Sequence, residues 1–286
     1  MVSILTMGEA AQQQSAPDVE DLEIHLLTEA VYRRYGYDLR AFRPEFVGQM
    51  VRSSVAAEGL RNVSTLQERV LRDPIAMERL LFASSNSPGG LFTPPSLYVT
   101  LRNRVIPELR DGFFVRAWQV GASPPENLYS LGVIFVEEGL QDYSRIYVTD
   151  LSDTALKRAR KGAFPLQEVK RSDAAYSESG GRHSLQHYFT FSFDSAVINP
   201  LLRKNIVFSQ HNVATDASFN EFQLIICRGI LSRYNADLRR RALQLFHQSL
   251  SGGGFIILGN ADAELLAGQE AYELFNEEHG IFRRLR

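Results

Sequence analysis

Apolar residues recur along this chain at two different spacings, and the change falls near residue 112. From residue 22 to 110 they return every three or four positions, the period of one helix face. In "DLEIHLLTEAVYRRYG", Leu22, Leu26 and Ala30 share a face with Leu27 and Val31, and Gly36 ends the helix. "PEFVGQMVRSSVAAEG" and "STLQERVLRD" repeat the spacing, with Ser64 standing where an N-cap is expected. "SSNSPGGLFTPPS" is rich in Ser, Pro and Gly and reads as the loop that closes a small helical domain. "LYVTLRNRVIPELR" is a further helix leading onward.

Beyond residue 112 short apolar runs alternate with helical stretches. "FFVRAWQVG", "SRIYVTD", "NIVFSQHNV", "FQLIICRG", "GGGFIILGN" and "GIFRRL" read as strands. "ENLYSLGVIFVEEG", "SDTALKRARKG" (capped by Ser152 or Asp153) and "ADLRRRALQLFHQSL" read as helices, the last with Leu238, Ala242, Leu245 and Ser249 on one side. Such alternation predicts an α/β fold, a mostly parallel sheet with helices on both faces. Ligands of such sheets sit at the carboxyl ends of the strands, near the switch point. Residues from about 163 to 205 interrupt the alternation. "HYFTFSFDSAVI" has period two there, so a small antiparallel insert is expected.

Composition narrows the classes. A net charge of -2 argues against a general nucleic-acid binder, which carries a basic excess. No apolar run reaches the length of about 18 residues that a membrane span needs. The amino terminus lacks the basic start of a signal peptide, and residues 1–20 read as a mobile tail. The single cysteine, Cys227, excludes an internal disulfide, fits a cytoplasmic protein and reads as a small buried hydrophobe. His183 and His187 lie on a loop and strand rather than one helix face, so no metal site is expected.

Several segments stand in an ordered series: "VYRRYGYDLRAFRPEFV", a strand ending at Trp118, Ser123-x-x-Glu126 followed by Tyr129-Ser130-Leu131, "VTDLSDTALKRARKGAF", "VFSQHNV", "FQLIICRG" and "SLSGGGFIILGN". Over about residues 22–286 this series resembles the CheR family, chemotaxis methyltransferases that methylate receptor glutamates with S-adenosylmethionine. The resemblance implies a helical domain over 21–92 and a Rossmann-like methyltransferase domain over 93–286, with a β-subdomain insert over about 163–205. It also implies a cofactor site containing Gly121, Glu126, Asp150, Asn212, Val213 and Arg228. Glu126 would touch the methionine part, Asp150 the ribose hydroxyls, and Asn212 and Val213 the adenine. The residues themselves leave other readings open. Glu126 is also a carboxylate in a first helical turn, Asp150 or Ser152 a helix cap, and Asn212 a turn residue.

The chain departs from the family pattern at the chemistry. Where the family reads S-T-G-E-E-P-Y-S, this chain reads Ser123-Pro124-Pro125-Glu126-Asn127-Leu128-Tyr129-Ser130, and a proline at 125 fixes φ and removes an N–H. Thr93 stands at the position of the family's catalytic arginine, without its fixed charge and donor fork. Gly229 and Arg233 replace the Asn and Tyr of C-R-N-V-x-I-Y-F. The leading expectation is a degenerate CheR-like binding or regulatory module in bacterial signalling, with weak or no methyl transfer and doubtful binding of S-adenosylmethionine or S-adenosylhomocysteine. Two alternatives are an active protein-glutamate methyltransferase and a nucleotide sensor using the old pocket. The expected partner is a signalling or receptor-like protein, with no nucleic acid and no membrane insertion. It would dock on Arg33, Arg34, Arg40 and Arg43 of the helical domain, or on a strand edge of the insert at Phe191.

Overall fold

The structure, a computed structural model, describes residues 18–85 and 89–285. Of the tail expected over 1–20, residues 1–17 lie outside the described residues, and helix α1 (Val19–Tyr35) begins just after Asp18. It ends at Gly36 in the left-handed conformation (φ 77°), as the sequence indicates. Helices α2 (Pro44–Ala57), α3 (Val63–Arg72) and α4 (Pro74–Ser85) complete the helical unit. Its core joins Leu27, Val31, Val51, Leu66, Val70 and Leu81, all fully buried. Each such side chain contributes roughly 1.5–3 kcal/mol. Two local expectations change. Asn62, not Ser64, caps α3, its side chain accepting the Thr65 N–H at 3.0 Å, while Ser64 bonds Glu23. Leu22 and Leu26 are 48% and 49% exposed, because they lie roughly 100–180° around α1 from the stripe of Leu27 and Val31 that faces the unit's core.

Helix α5 (Pro95–Thr100) runs through a π-helical stretch (Leu101–Val105) into α6 (Ile106–Arg110) and delivers the chain to the sheet. Strands β1 (Val115–Val120) and β2 (Ser144–Asp150) flank α7 (Glu126–Glu137), and α8 (Asp153–Lys161), capped by Ser152, follows. The insert then holds β3 (Ala163–Pro165), α9 (Leu166–Glu178), β4 (Phe189–Ser192), β5 (Ser195–Ile198) and α10 (Pro200–Arg203). Its strands form an antiparallel sheet in the order β3-β5-β4, with the expected hairpin at its centre. Helix α9 had no counterpart among the sequence expectations.

The main sheet resumes with β6 (Ile206–Gln210), β7 (Phe222–Ile226), α11 (Ala236–Ser249), β8 (Leu250–Ile257), α12 (Asn260–Ala263), β9 (Tyr272–Asn276) and β10 (Ile281–Arg284). Its order is β6-β2-β1-β7-β8-β10-β9, parallel from β6 to β8, with β10 antiparallel to both its neighbours. Strand order therefore reverses between β1 and β7, which opens the crevice where ligands of such sheets bind. Side chains alternate across the sheet. Ala117, Val148, Leu224 and Ile257 face the core under α5–α8, while Trp118, Ile225, Ile256 and Phe282 face α11. Leu238, Ala242, Leu245 and Ser249 of α11 are all buried, as their spacing indicates.

The helical unit joins the sheet domain through a short antiparallel ladder. Phe42 pairs with Tyr234, Arg43 N–H donates to Arg233 O at 2.8 Å, and Asn235 N–H donates to Ala41 O at 2.9 Å. This contact makes the helical unit one wall of the crevice.

Candidate functional site

A cavity of about 540 Å³ lies at the carboxyl ends of β1, β2 and β6, a size ordinary for a small-molecule site. Four of the six residues assigned to a cofactor from sequence line it: Gly121, Asp150, Asn212 and Val213. Gly121 follows β1 with φ 85°, and a Cβ there would stand 2.8 Å from Ile230 Cδ1. Only glycine takes this conformation without strain, so the backbone turns tightly and stays open to the cavity.

The Asp150 carboxylate closes the end of β2 onto the turn after β1. One oxygen accepts the Ala122 N–H at 2.8 Å and the other the Ser152 N–H at 2.9 Å. This clasp fixes the direction in which the carboxylate points. The helix cap is Ser152, whose hydroxyl accepts the Ala155 N–H. Asn212 serves the turn as well as the cavity, since its Oδ1 accepts the Ala214 N–H at 3.0 Å in an Asx turn. That leaves the amide nitrogen of Asn212 as a donor. Val213 is 8% exposed, an apolar surface suited to a ring face.

The sequence reading missed the wall that the helical unit supplies. Tyr32, Gly36, Leu39, Arg40 and Phe42 line the cavity opposite Asp150. Their segment carries part of the resemblance, and Arg40 stood as a docking residue, but no local pattern assigns them to the cavity, because the 41–43 to 233–235 ladder brings them there. His211, which also lines the cavity, packs edge-on against Trp118 with ring centroids 5.4 Å apart. The aromatic density of "HNVATDASFNEF" was the available signal for it.

Arg233, at the position of the family tyrosine, lines the cavity and ties the two units together. Its Nη1 donates to Ser84 O at 2.6 Å and its guanidinium lies 5.3 Å from the Phe46 ring centroid. Burial pulls its pKa below the ordinary arginine value, while the neighbouring Tyr234 and Asp150 charges oppose that. A guanidinium thus enters the cavity from the β7 side.

Glu126 and Arg228, also assigned to the cofactor, do not line this cavity. Glu126 is 9% exposed at the start of α7, and a Cβ on Gly89 would lie 3.6 Å from its Oε2. Burial, with the Glu168 carboxyl group of α9 beside it, pushes Glu126 up to about 8. Glu126 Oε2 and Glu168 Oε1 are buried with no hydrogen-bond partner among the described residues. Glu126 is the first residue of helix α7, and its carboxyl group lies beside Glu168 of α9.

Thr93 is exposed and outside the cavity. It follows Phe92, a fully buried residue in the left-handed region (φ 60°), whose N–H donates to Ser130 Oγ at 2.8 Å. That conformation is rare for a bulky side chain and is held by burial and this bond. Gly229 is exposed with φ 65°. Of the four substituted positions, only Arg233 reaches the cavity.

The proposed docking residues divide. Arg33 pairs with Glu29 at 2.6 Å, Arg40 pairs with Asp38 and Glu29 at the cavity rim, and Arg43 lies 3.6 Å from Glu45. Arg34 lies over Tyr35 at 5.0 Å. Phe191 is 42% exposed on β4, an edge strand, and Phe193 at the hairpin tip is fully exposed. No helix among the described residues is long and apolar enough to cross a membrane, and none of their His, Cys, Asp and Glu side chains form a group able to hold a metal.

Residues 92–280 match the family described as "CheR methyltransferase, SAM binding domain". The chain is 35% identical to "Putative methyltransferase Cher3" of Pseudomonas putida, over 92% of this chain and 97% of that one. It is 26% identical to the chemotaxis protein methyltransferase of Listeria monocytogenes, over 86% and 91% of the two chains. Identity to chemotaxis protein methyltransferase 1 of Pseudomonas aeruginosa is 23%, over 88% and 93%.

Proposed function

The chain belongs to the CheR methyltransferase family, and from that premise we propose that it acts as a CheR-fold binding module in chemosensory signalling, with weak or no methyl transfer. The observation that carries this reading is the burial of Glu126 against Glu168, away from the cavity. The nucleoside half of S-adenosylmethionine fits the residues present: Asp150 for the ribose hydroxyls, Asn212 and Val213 for the base, Gly121 for close backbone approach. The methionine half does not. Its ammonium group would look for a carboxylate, and the one on α7 lies against Glu168 of the insert, where burial and that neighbour disfavour its charged form. Methyl transfer depends on holding the cofactor in line with the attacking oxygen, and without that grip the rate falls by orders of magnitude.

Calorimetric titration of the full chain tests this directly. Adenosine and S-adenosylhomocysteine are expected to bind within about threefold of each other, because the tail adds little. Low-micromolar binding of S-adenosylmethionine, about -8 kcal/mol, with adenosine a hundredfold weaker, overturns the reading. So does transfer of tritiated methyl groups to receptor glutamates.

One observation favours the alternative of an active protein-glutamate methyltransferase. Arg233 lines the cavity from the β7 side and brings a fixed positive charge to its wall. In that reading Arg233 takes over the part of the family's linker arginine, and Arg233→Ala abolishes methyl transfer. Partner docking would use the β4 edge at Phe191, by addition of an extended strand, or the arginine-bearing face of the helical unit.

A further inference from the structure

The charges of this chain are sorted along its main sheet. From residue 242 to 282 there is no Lys or Arg, yet the stretch holds six acids. All four lysines of the chain lie between residues 157 and 204. The net charge of -2 therefore conceals two opposite surfaces. The strand order sets them at opposite edges, with β9 closing the sheet on the acidic side and β6 on the basic side.

At the β9 edge, Glu273 is exposed on the strand, Glu277 and Glu278 on the turn into β10, and Glu264 and Glu270 on the segment between α12 and β9. Arg283, level with Glu273 on β10, pairs with Glu108 at 2.9 Å instead, and Arg104 lies over the Phe275 ring at 4.3 Å. At the β6 edge, Arg160 and Lys161 end α8, and Arg203 and Lys204 lead into the strand. These cations form one group. The Arg160 guanidinium lies 5.3 Å from the ring centroid of Phe208 on β6, and Arg203 Nη1 donates to Arg160 O at 3.5 Å. Lys204 is 3.5 Å from Asp142, while Arg160, Lys161 and Arg203 have no carboxylate partner among the described residues. Both edges also carry apolar groups: Leu274 is 48% exposed on β9, and Ile206, Val207 and Phe208 are half-buried on β6.

An edge strand offers unpaired backbone N–H and C=O groups to another chain. Six inter-strand steps of about 4.8 Å set the two edges roughly 29 Å apart. That is several times the screening length of about 8 Å at physiological salt, so the two patches cannot neutralise each other within one molecule. We propose that the acidic β9 edge of one copy docks on the basic β6 edge of another, so that copies of this chain associate head to tail. Charge decides the pairing. Two β9 edges together would set Glu273 against like charge, two β6 edges would do the same with Arg160, and like charges across a strand pair are unfavourable. The contact of β9 with β6 joins opposite charges around an apolar centre at Leu274 and Phe208. A contact between two different patches leaves one of each open on every pair, so it propagates into chains unless the rotation closes a ring. None of these residues lines the cavity, so the contact stands whether or not that cavity binds an adenosine compound.

Sedimentation velocity of the full chain tests it. At about 20 mM salt the wild type should sediment faster as its concentration rises, with species larger than a dimer, and at about 0.5 M salt it should be a monomer. Two pairs of charge-removing substitutions break the contact from either side: Glu273→Gln with Glu277→Gln, and Arg160→Gln with Lys161→Gln, each checked for folding by circular dichroism. Either variant alone should self-associate about tenfold more weakly. Mixed, the two should form one-to-one dimers and nothing larger, because one keeps an intact β6 edge and the other an intact β9 edge. A wild type that stays monomeric at low salt, association that persists at high salt, a folded variant that associates like the wild type, or a mixture that forms no dimer overturns the proposal. So does binding of duplex DNA or anionic vesicles at Arg160 and Lys161 without self-association, which would give the basic edge to another partner.

Discussion

The two ends of α7 each bury a glutamate against the insert, and the two carboxyl groups meet opposite fates. At the carboxyl end, Glu137 accepts from Tyr176 and Tyr188 (2.8 Å) and pairs with Arg102. Burial alone would raise its pKa, but the two tyrosine hydroxyls and the guanidinium outweigh that and hold it below the ordinary value. At the amino end, Glu126 has Glu168 for a neighbour, and burial and that carboxyl group together push it up to about 8. One helix thus carries one carboxyl group whose partners favour the charged form and one whose surroundings oppose it. The satisfied end anchors the insert through residues contributed by the π-helical stretch, α9 and the segment before β4. The unsatisfied end lies at the turn after β1, where the family holds its cofactor. The contrast teaches that sequence position marks where a functional carboxylate belongs, while neighbouring groups decide whether it carries charge.

Breaking the satisfied end has the largest expected destabilising effect. Arg102→Met leaves Glu137 as a buried charge short of its cationic partner and should lower stability by roughly 3–5 kcal/mol, measured by urea denaturation at pH 7. Adding Glu137→Gln should recover part of that loss. A cost under about 1 kcal/mol would show that the pair does not hold the insert in place.

The unsatisfied end should respond in the other direction. In the unfolded chain Glu126 titrates near 4.5, and in the folded protein near 8. Its contribution to stability is therefore fully present below pH 4.5 and is lost as pH rises toward 8, because the unfolded chain ionises first. Glu126→Gln removes this penalty. It should leave stability unchanged at pH 4 and raise it by roughly 5 kcal/mol at pH 9, read from denaturation midpoints across that range. A variant less stable than the wild type at pH 9 would mean that Glu126 is ionised and held by a partner.

A smaller effect separates α7 from the cavity. Asp150→Asn should weaken adenosine binding about tenfold, about 1.4 kcal/mol, while Glu126→Gln changes it by less than about twofold. Equal losses in calorimetry would place both carboxyl groups at one ligand. The smallest effect lies in the helical unit. Asn62→Ala should lower the stability of the protein by about 1 kcal/mol, and Ser64→Ala by a few tenths at most, because only the Asn62 side chain accepts a backbone N–H of α3.

Much of the fold was legible because it rests on local periodicity. The helices of the first 110 residues, the strands on either side of α7 and the hairpin of the insert all follow from apolar spacing and turn residues. The misses share a cause. Helix α9 has a mixed surface, with Val169, Ser172 and Tyr176 as its buried residues, so its sequence shows a weak face. Strand β9 is an edge strand whose exposed Glu273 and Leu274 blur the alternation. Leu22 and Leu26 look like core and are not, since only the neighbouring elements select which stripe of α1 is covered.

The candidate site divides the same way. By itself the sequence determined the family and the strand–turn–helix order that sets Gly121 after β1 and Asp150 at the end of β2. These are properties of single positions or short segments, read from spacing and resemblance. Tertiary structure alone decided that Glu126 meets Glu168 from α9, 42 residues away in sequence, that Arg228 stays outside the main cavity, and that Tyr32, Arg40 and Phe42 form the cavity's far wall. Electrostatic fields and hydrogen-bond partners come from residues distant in sequence and adjacent in space, and no local pattern encodes which of them will meet.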